Sequence, residues 1–267
     1  FDNRPPSYAE PNASETRLFQ SFYGWEIISD RPVFDADCFT MMDFNVKQEG
    51  ATQFMYVLPL DEQRALVEIT RFGEALLPSE RAEQALLSYL TEHSIPYSIE
   101  DKEMGVIPMF SHSISVNKSS STWINTGERA GMLKPSTGYS FERSLTFAKQ
   151  VVQGIKSNRE PVQSRKTRFA YYDRLLLQLL RDQPAQGSRI FTQLFKQNAA
   201  AQVFKFLDER STLREDLQIL KSLPFGLFVG AAVKDVVWRN SKVLHGLTPM
   251  PLICCLVLLL QAVGQMP

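Results

Sequence analysis

The chain has 267 residues, enough for one large domain or two smaller ones around a sizeable core. Its 29 basic and 29 acidic residues cancel to a formal net charge of +0, so no basic excess points to nucleic acid and no acidic run points to disorder. Cys38, Cys254 and Cys255 form no disulfide framework, and His93, His112 and His245 lack metal-ligand spacing, which argues against a zinc centre or a His-based triad and makes a reducing cytoplasm the expected compartment.

Residues 1–8 (FDNRPPSY) read as the end of a strand running into a Pro-rich turn, so the chain is expected to be a fragment. Residues 18–28 (LFQSFYGWEII) are aromatic and β-branched, a strand with Gly24 as a bulge. A second strand is predicted over 39–46, with Asp43 between Met42 and Phe44 as an edge or turn-facing charge. Residues 53–58 and 65–72, joined by PLDEQR, predict an antiparallel hairpin. Ser79 is placed to cap a helix over 80–92, whose Ala82, Leu86, Leu87 and Leu90 form one stripe. Residues 95–109 then read as a strand, a charged turn and a second strand, followed by a Ser-rich loop to residue 122.

Residues 123–155 pass through Gly127, Gly131, Pro135 and Gly138 before entering a helix near Ser140. Phe141, Leu145, Ala148, Val152 and Ile155 recur at helical steps and predict its packed face. Ser136, Thr137 and Tyr139 fall at the helix N-terminus, where free N–H groups and the dipole suit a phosphate or a flavin edge. An ordinary strand-to-helix turn has the same spacing. Residues 158–167 form a charged linker, the expected domain boundary, and helices follow over 168–248. Ser188 is read as the cap of one of them, and Thr212 with Glu215 as a capping box heading a helix that stops at Pro224. In the apolar tail, 249–267, the run over 252–260 (LICCLVLLL) is too short to cross a bilayer alone, since a span needs roughly 20 apolar residues, and reads as a buried terminal segment, an interfacial anchor or an altered terminus.

Glu68 is the most suspicious ionisable residue. It sits in LVEITRF, where alternation puts Leu66, Glu68 and Thr70 on one face and Val67 and Ile69 on the other. Two readings are open: a solvent-facing Glu on a one-sided sheet, or a buried carboxyl that desolvation keeps protonated as a general acid.

Several phrases in order, GWEI (24–27), MMDF (41–44), FMYVLPL (54–60), ALVEITRF (65–72), MGVIPM (104–109) and GERAGMLKPSTGYSF (127–141), resemble the lycopene β-cyclase family. VFKFLDERSTLREDLQIL (203–220) is similar to the C-terminal helices of its bacterial branch, and the resemblance extends over residues 1–228. It implies an α/β protein, α+β as the chain stands: a partial glutathione-reductase-like FAD-binding fold, an antiparallel substrate sheet over 18–122, a flavin-contacting segment over 123–157, and C-terminal helices. It also implies closure of the ψ-ends of lycopene into β-ionone rings, at a peripheral membrane location. FAD would be kept reduced by NAD(P)H, without net redox turnover, and would stabilise positive charge on the polyene.

By the same resemblance Glu68 is the catalytic acid, and Trp25, Asp43 and Thr70 contact substrate. Gly127, Glu128, Gly131, Pro135, Ser136, Thr137, Gly138 and Tyr139 touch the flavin. Asp2 and Arg4, at the end of the FAD-binding segment over 1–17, stand in the family's Asp-x-Arg. The chain departs from the family in two ways. Glu68-Ile69-Thr70 lacks the second acid of the Glu-Asp-Thr or Glu-Glu-Thr motif. No G-x-G-x-x-G is present, so the N-terminal dinucleotide-binding unit is expected to be missing and FAD to bind poorly. Two rival expectations are a flavin-dependent monooxygenase of the same superfamily and an inactive truncated cyclase that only associates with membrane or carotenoid.

Overall fold

Aromatic and β-branched residues at alternate positions build five antiparallel strands: β1 (Arg17–Ile28), β2 (Thr40–Asp43), β3 (Thr52–Pro59), β4 (Arg64–Gly73) and β5 (Ser98–Phe110), in the spatial order β2-β3-β4-β1-β5. The computed structural model describes residues 1–6, 15–111, 123–159 and 167–243, the last seven of these and residue 167 by backbone only. Residues 112–122 of the Ser-rich stretch, 160–166 of the predicted linker and the tail over 249–267 lie outside the described residues.

The hairpin of β3 and β4 forms as predicted, with Tyr56 opposite Glu68 and Leu58 opposite Leu66. The second predicted strand is shorter than 39–46. The Asp43 carboxylate accepts from the Asn45 N–H at 2.8 Å, an Asx turn that ends β2. The expected charged turn near residue 100 is instead continuous strand. β5 is an edge strand, so Glu100 to Glu103 can project into water while their backbone pairs with β1. Gly24 sits in regular register, and the irregularity falls later, between Glu26 and Ile27.

One face of the sheet packs on α1 (Ser79–Glu92). Ala82, Leu86, Tyr89 and Leu90 meet Tyr23, Trp25, Ile27, Met55, Val67 and Ile69. Pro78, rather than Ser79, is the N-cap, its carbonyl accepting from Ala82 N–H at 2.9 Å, and Leu87 points outward. The opposite face carries Leu18, Phe54, Phe72 and Met109 against α3 (Thr167–Asp182), α4 (Gly187–Gln197), α5 (Ala200–Leu207) and α6 (Leu213–Ser222). α4 is capped by Gln186, not Ser188. The Thr212–Glu215 capping box forms as read, with reciprocal contacts of 2.8 and 3.4 Å.

The chain divides into two compact units, Phe1–Pro224 and Phe225–Pro267. The boundary expected at 158–167 therefore falls inside the first unit, because α3 packs on the same sheet as the segments before it. The second unit holds α7 (Phe225–Val243) among its described residues, and no single described helix is long and apolar enough to cross a membrane.

Candidate active site

Glu68 lies on the face of β4 opposite α1, the face that carries Phe72. It is half-buried among Leu66, Tyr56 of β3 and the backbone of Gly24 on β1. Thr70, two residues along the same strand face, donates its hydroxyl to Glu68 Oε1 at 2.8 Å and orients the carboxyl. Burial pushes the Glu68 carboxyl up to about 7; the Thr70 hydrogen bond opposes this, and the nearby Glu103 carboxyl adds to it. Burial and the adjacent Glu68 likewise push the Tyr56 hydroxyl up to about 12. At neutral pH a large fraction of Glu68 holds a proton, the state a general acid needs.

The Gly-rich loop meets the same sheet face. Gly138, at φ +69°, lies so close to Gln20 Oε1 and Ile107 that a Cβ there would stand 2.9 and 3.0 Å from them. Gln20, Phe22 and Gly24 alternate along that face of β1, so the loop and Glu68 are about four residues apart, roughly 13 Å at the rise of a strand. The Phe22 ring fills the interval, lying over the bare backbone of Gly105.

Lys134, not noticed in the sequence, pins the loop. Its buried ammonium is 2.8 Å from Asp173 and 3.3 Å from Glu209, and its backbone exchanges bonds with Gly138 and Tyr139. Ser136 donates to the same Asp173 at 2.6 Å, so its hydroxyl faces the core rather than a ligand at the helix terminus. The loop leads into α2 (Phe141–Ser157), whose cap, Ser140, makes no side-chain hydrogen bond and leaves first-turn N–H groups uncapped by it. Tyr139 is exposed, and Pro135 and Thr137 are half-buried. Gly127 and Gly131 adopt left-handed φ of +58° and +69° around a single 3-10 turn that carries Glu128, whose carboxyl is raised by burial.

The packed face of α2 is not the one predicted. Phe147, Val151 and Gly154 are buried, the first two against Met132, Ile124 and Ala130, while Phe141, Leu145, Ala148, Val152 and Ile155 face outward. Two apolar stripes have helical spacing, and the 124–132 strip selects the other one. Asp2 pairs in parallel with Asn125, and its carboxylate bonds Arg4 at 2.9 Å and Arg129 at 3.1 Å; the Arg4 hydrogen bond, aided by Arg129, holds it well below the usual carboxylate range. Asp2 and Arg4 thus brace the strip that leads to Gly127.

Two expected substrate contacts are not brought to Glu68. Trp25 is on the α1 face, 3% exposed, stacked on Tyr97 and under the Lys102 ammonium. Asp43 accepts from the Tyr89 hydroxyl of α1 at 3.0 Å, also on that face. The resemblance suggested binding, but strand alternation sends them to the other face. Tyr56 and Glu103 are the site residues that the sequence reading missed. Cross-strand register from the hairpin would have found Tyr56, whereas Glu103 was hidden in the supposed turn.

A desolvated carboxylic acid on an antiparallel sheet, beside a Gly-rich loop at a helix N-terminus, defines a mixed α/β protein with an acid site. The chain belongs to the lycopene cyclase family: the family profile described as "Lycopene cyclase protein" matches residues 1–231. Relatives include a lycopene β-cyclase of Paracoccus sp. strain N81106, 27% identical over 253 residues, covering 91% of this chain and 60% of that protein. Lycopene β-cyclases of Pantoea ananas and Pseudescherichia vulneris are 30% and 27% identical over 137 residues, covering 49% of this chain and 35% of each. The chain thus spans less than two thirds of the length of these relatives. Among solved structures, a geranylgeranyl bacteriochlorophyll reductase-like protein from Thermoplasma acidophilum aligns with a TM-score of 0.42 and 13% identity, covering 81% of this chain and 54% of that one.

Proposed function

We propose that this chain carries the proton donor of a lycopene β-cyclase. The observation that carries the reading is the half-buried carboxyl of Glu68, oriented by the Thr70 hydroxyl at 2.8 Å and pushed up to about 7 by burial. Glu68 adds its proton to the terminal alkene of a lycopene ψ-end. The resulting carbocation closes on the neighbouring double bond, and loss of a ring proton gives the β-ionone ring, so the product is an isomer of the substrate. Thr70 fixes the carboxyl, Leu66, Tyr56 and Phe22 offer apolar surface, and exclusion of water protects the cation from capture.

The loop fits the ring end of a flavin. Gly127 and Gly131 keep their backbone open, with no atom within 3.9 Å of a Cβ added at Gly131 and only Asn3 at 3.9 Å for Gly127. The α2 N-terminus would supply backbone N–H groups. When bound, reduced FAD maintained by NAD(P)H supplies negative charge near the developing cation. No motif in the sequence serves the pyrophosphate, and a G-x-G-x-x-G unit docked on the outward apolar stripe of α2 would complete the site. Because lycopene dissolves in lipid, the protein would work at a membrane surface.

The protein encoded by the whole gene is purified and tested with lycopene in lipid vesicles, FAD and NADPH. The expected products carry β-ionone rings, with NADPH consumption far below one per ring. Oxygenated products formed mole for mole with NADPH consumption would assign a monooxygenase instead, and unaltered lycopene would contradict the proposal.

A further inference from the structure

Ile69, between Glu68 and Thr70, is 1% exposed in the α1-side core and lies across the strands from Tyr23 and Met55. An acid at that position would point away from the Glu68 face. A different carboxylate occupies that face. Gly24 of β1 pairs with Glu68 of β4 on one side and with Glu103 of β5 on the other. Because Gly24 has no side chain, Leu66 and Glu103 close over its backbone: a Cβ built on Gly24 would stand 3.0 Å from Leu66 Cδ1, 3.1 Å from Glu103 Cγ and 3.3 Å from its Oε1. The neighbouring Lys102 points to the opposite face, paired with Glu83 at 2.8 Å, and cannot neutralise Glu103 from there.

We infer that Glu103 is a positioning residue of the acid site, its carboxylate reaching across Gly24 to share and hold the proton of Glu68 from the edge strand. This rests on the reading of Glu68 as the proton donor. Among the described residues, strand alternation puts Tyr56 of β3, Glu26 of β1, Arg64 of β4, and Asp101 and Glu103 of β5 on the Glu68 side; Glu103 is the one of them that raises Glu68, and Tyr56 is neutral across the working range. The Glu103 carboxyl acts on Glu68 in the same direction as burial, by its charge and by a hydrogen bond, and so helps to keep the proton on Glu68. Glu103 lies at the exposed edge of the sheet and Glu68 on its sheltered side. Gly24 is required because any larger residue would fill the space that the pair uses.

The test is a carbon-13 NMR titration of the Glu68 side-chain carboxyl in the wild-type chain, Glu103→Gln and Glu103→Asp. Glu103→Gln is expected to lower the Glu68 midpoint by about one pH unit, and Glu103→Asp to return part of the shift. In the cyclisation assay, the alkaline limb of the pH–rate profile should move down by the same amount. A Glu68 midpoint unchanged in Glu103→Gln overturns the inference, as does a uniform loss of rate with the limb unmoved. Failure of the functional reading appears separately, as full cyclisation by a Glu68→Gln variant whatever the titration shows.

Discussion

At the scale of single residues, the site is one carboxyl held away from its preferred charge state. Folded Glu68 titrates near 7, against 4.5 for the free side chain. Between those values the folded chain keeps a proton that the unfolded chain has released, so this group's contribution to stability falls as pH rises through that window, and the full cost is present above it. Glu68→Gln removes the charge and keeps the shape. The variant is expected to be more stable than wild type by roughly 1–3 kcal/mol at pH 8 and nearly equal at pH 4, read by thermal unfolding at the two pH values. Equal differences at both would show that the carboxyl is not perturbed. The strand around Glu68 was legible from LVEITRF, but its burial was not, because that depends on α3, α4 and residues far along the chain. Trp25 and Asp43 mark the complementary lesson: aromatic and acidic types near an acid suggest a site, but only the register with Glu68 tells which face they occupy.

At the scale of elements, the hairpin, α1, and the run of helices from α3 to α6 follow their periodicity, because each has one dominant apolar stripe and clear stops. The errors fall where two local solutions compete. α2 has two apolar stripes, and the 124–132 strip decides between them. The charged residues 100–103 suggest a turn, yet an edge strand satisfies their backbone and leaves their side chains wet. Contacts between elements were invisible in one dimension. Gly187 opens α4 because β3 presses on it, with Thr52 Oγ1 where a side chain would begin and bonded at 3.0 Å to the Pro184 carbonyl. Gly187→Ala must displace Thr52 and is expected to destabilise the first unit by roughly 1–3 kcal/mol, seen as a lower midpoint in urea unfolding. An unchanged midpoint would mean that α4 does not bear on the sheet there.

At the scale of the whole molecule, the first unit joins the sheet that carries Glu68 to the Gly-rich loop and α2. The exposed Phe141, Val152 and Ile155 of α2, at 66%, 52% and 68%, form an apolar stripe that nothing among the described residues covers. The phrases that carry the family resemblance map onto β1 to β5 and the 127–141 loop, so its most recognisable parts are the sheet and the loop that hold the proposed chemistry. The central claim is that Glu68 delivers the proton. It is tested most directly by expressing the gene that encodes this chain, as wild type and as Glu68→Gln, in lycopene-accumulating cells and separating the pigments by chromatography. At equal protein levels, wild type is predicted to give cyclised carotenoid and Glu68→Gln at least about 10²-fold less; cyclised pigment from Glu68→Gln at the wild-type level would contradict the account.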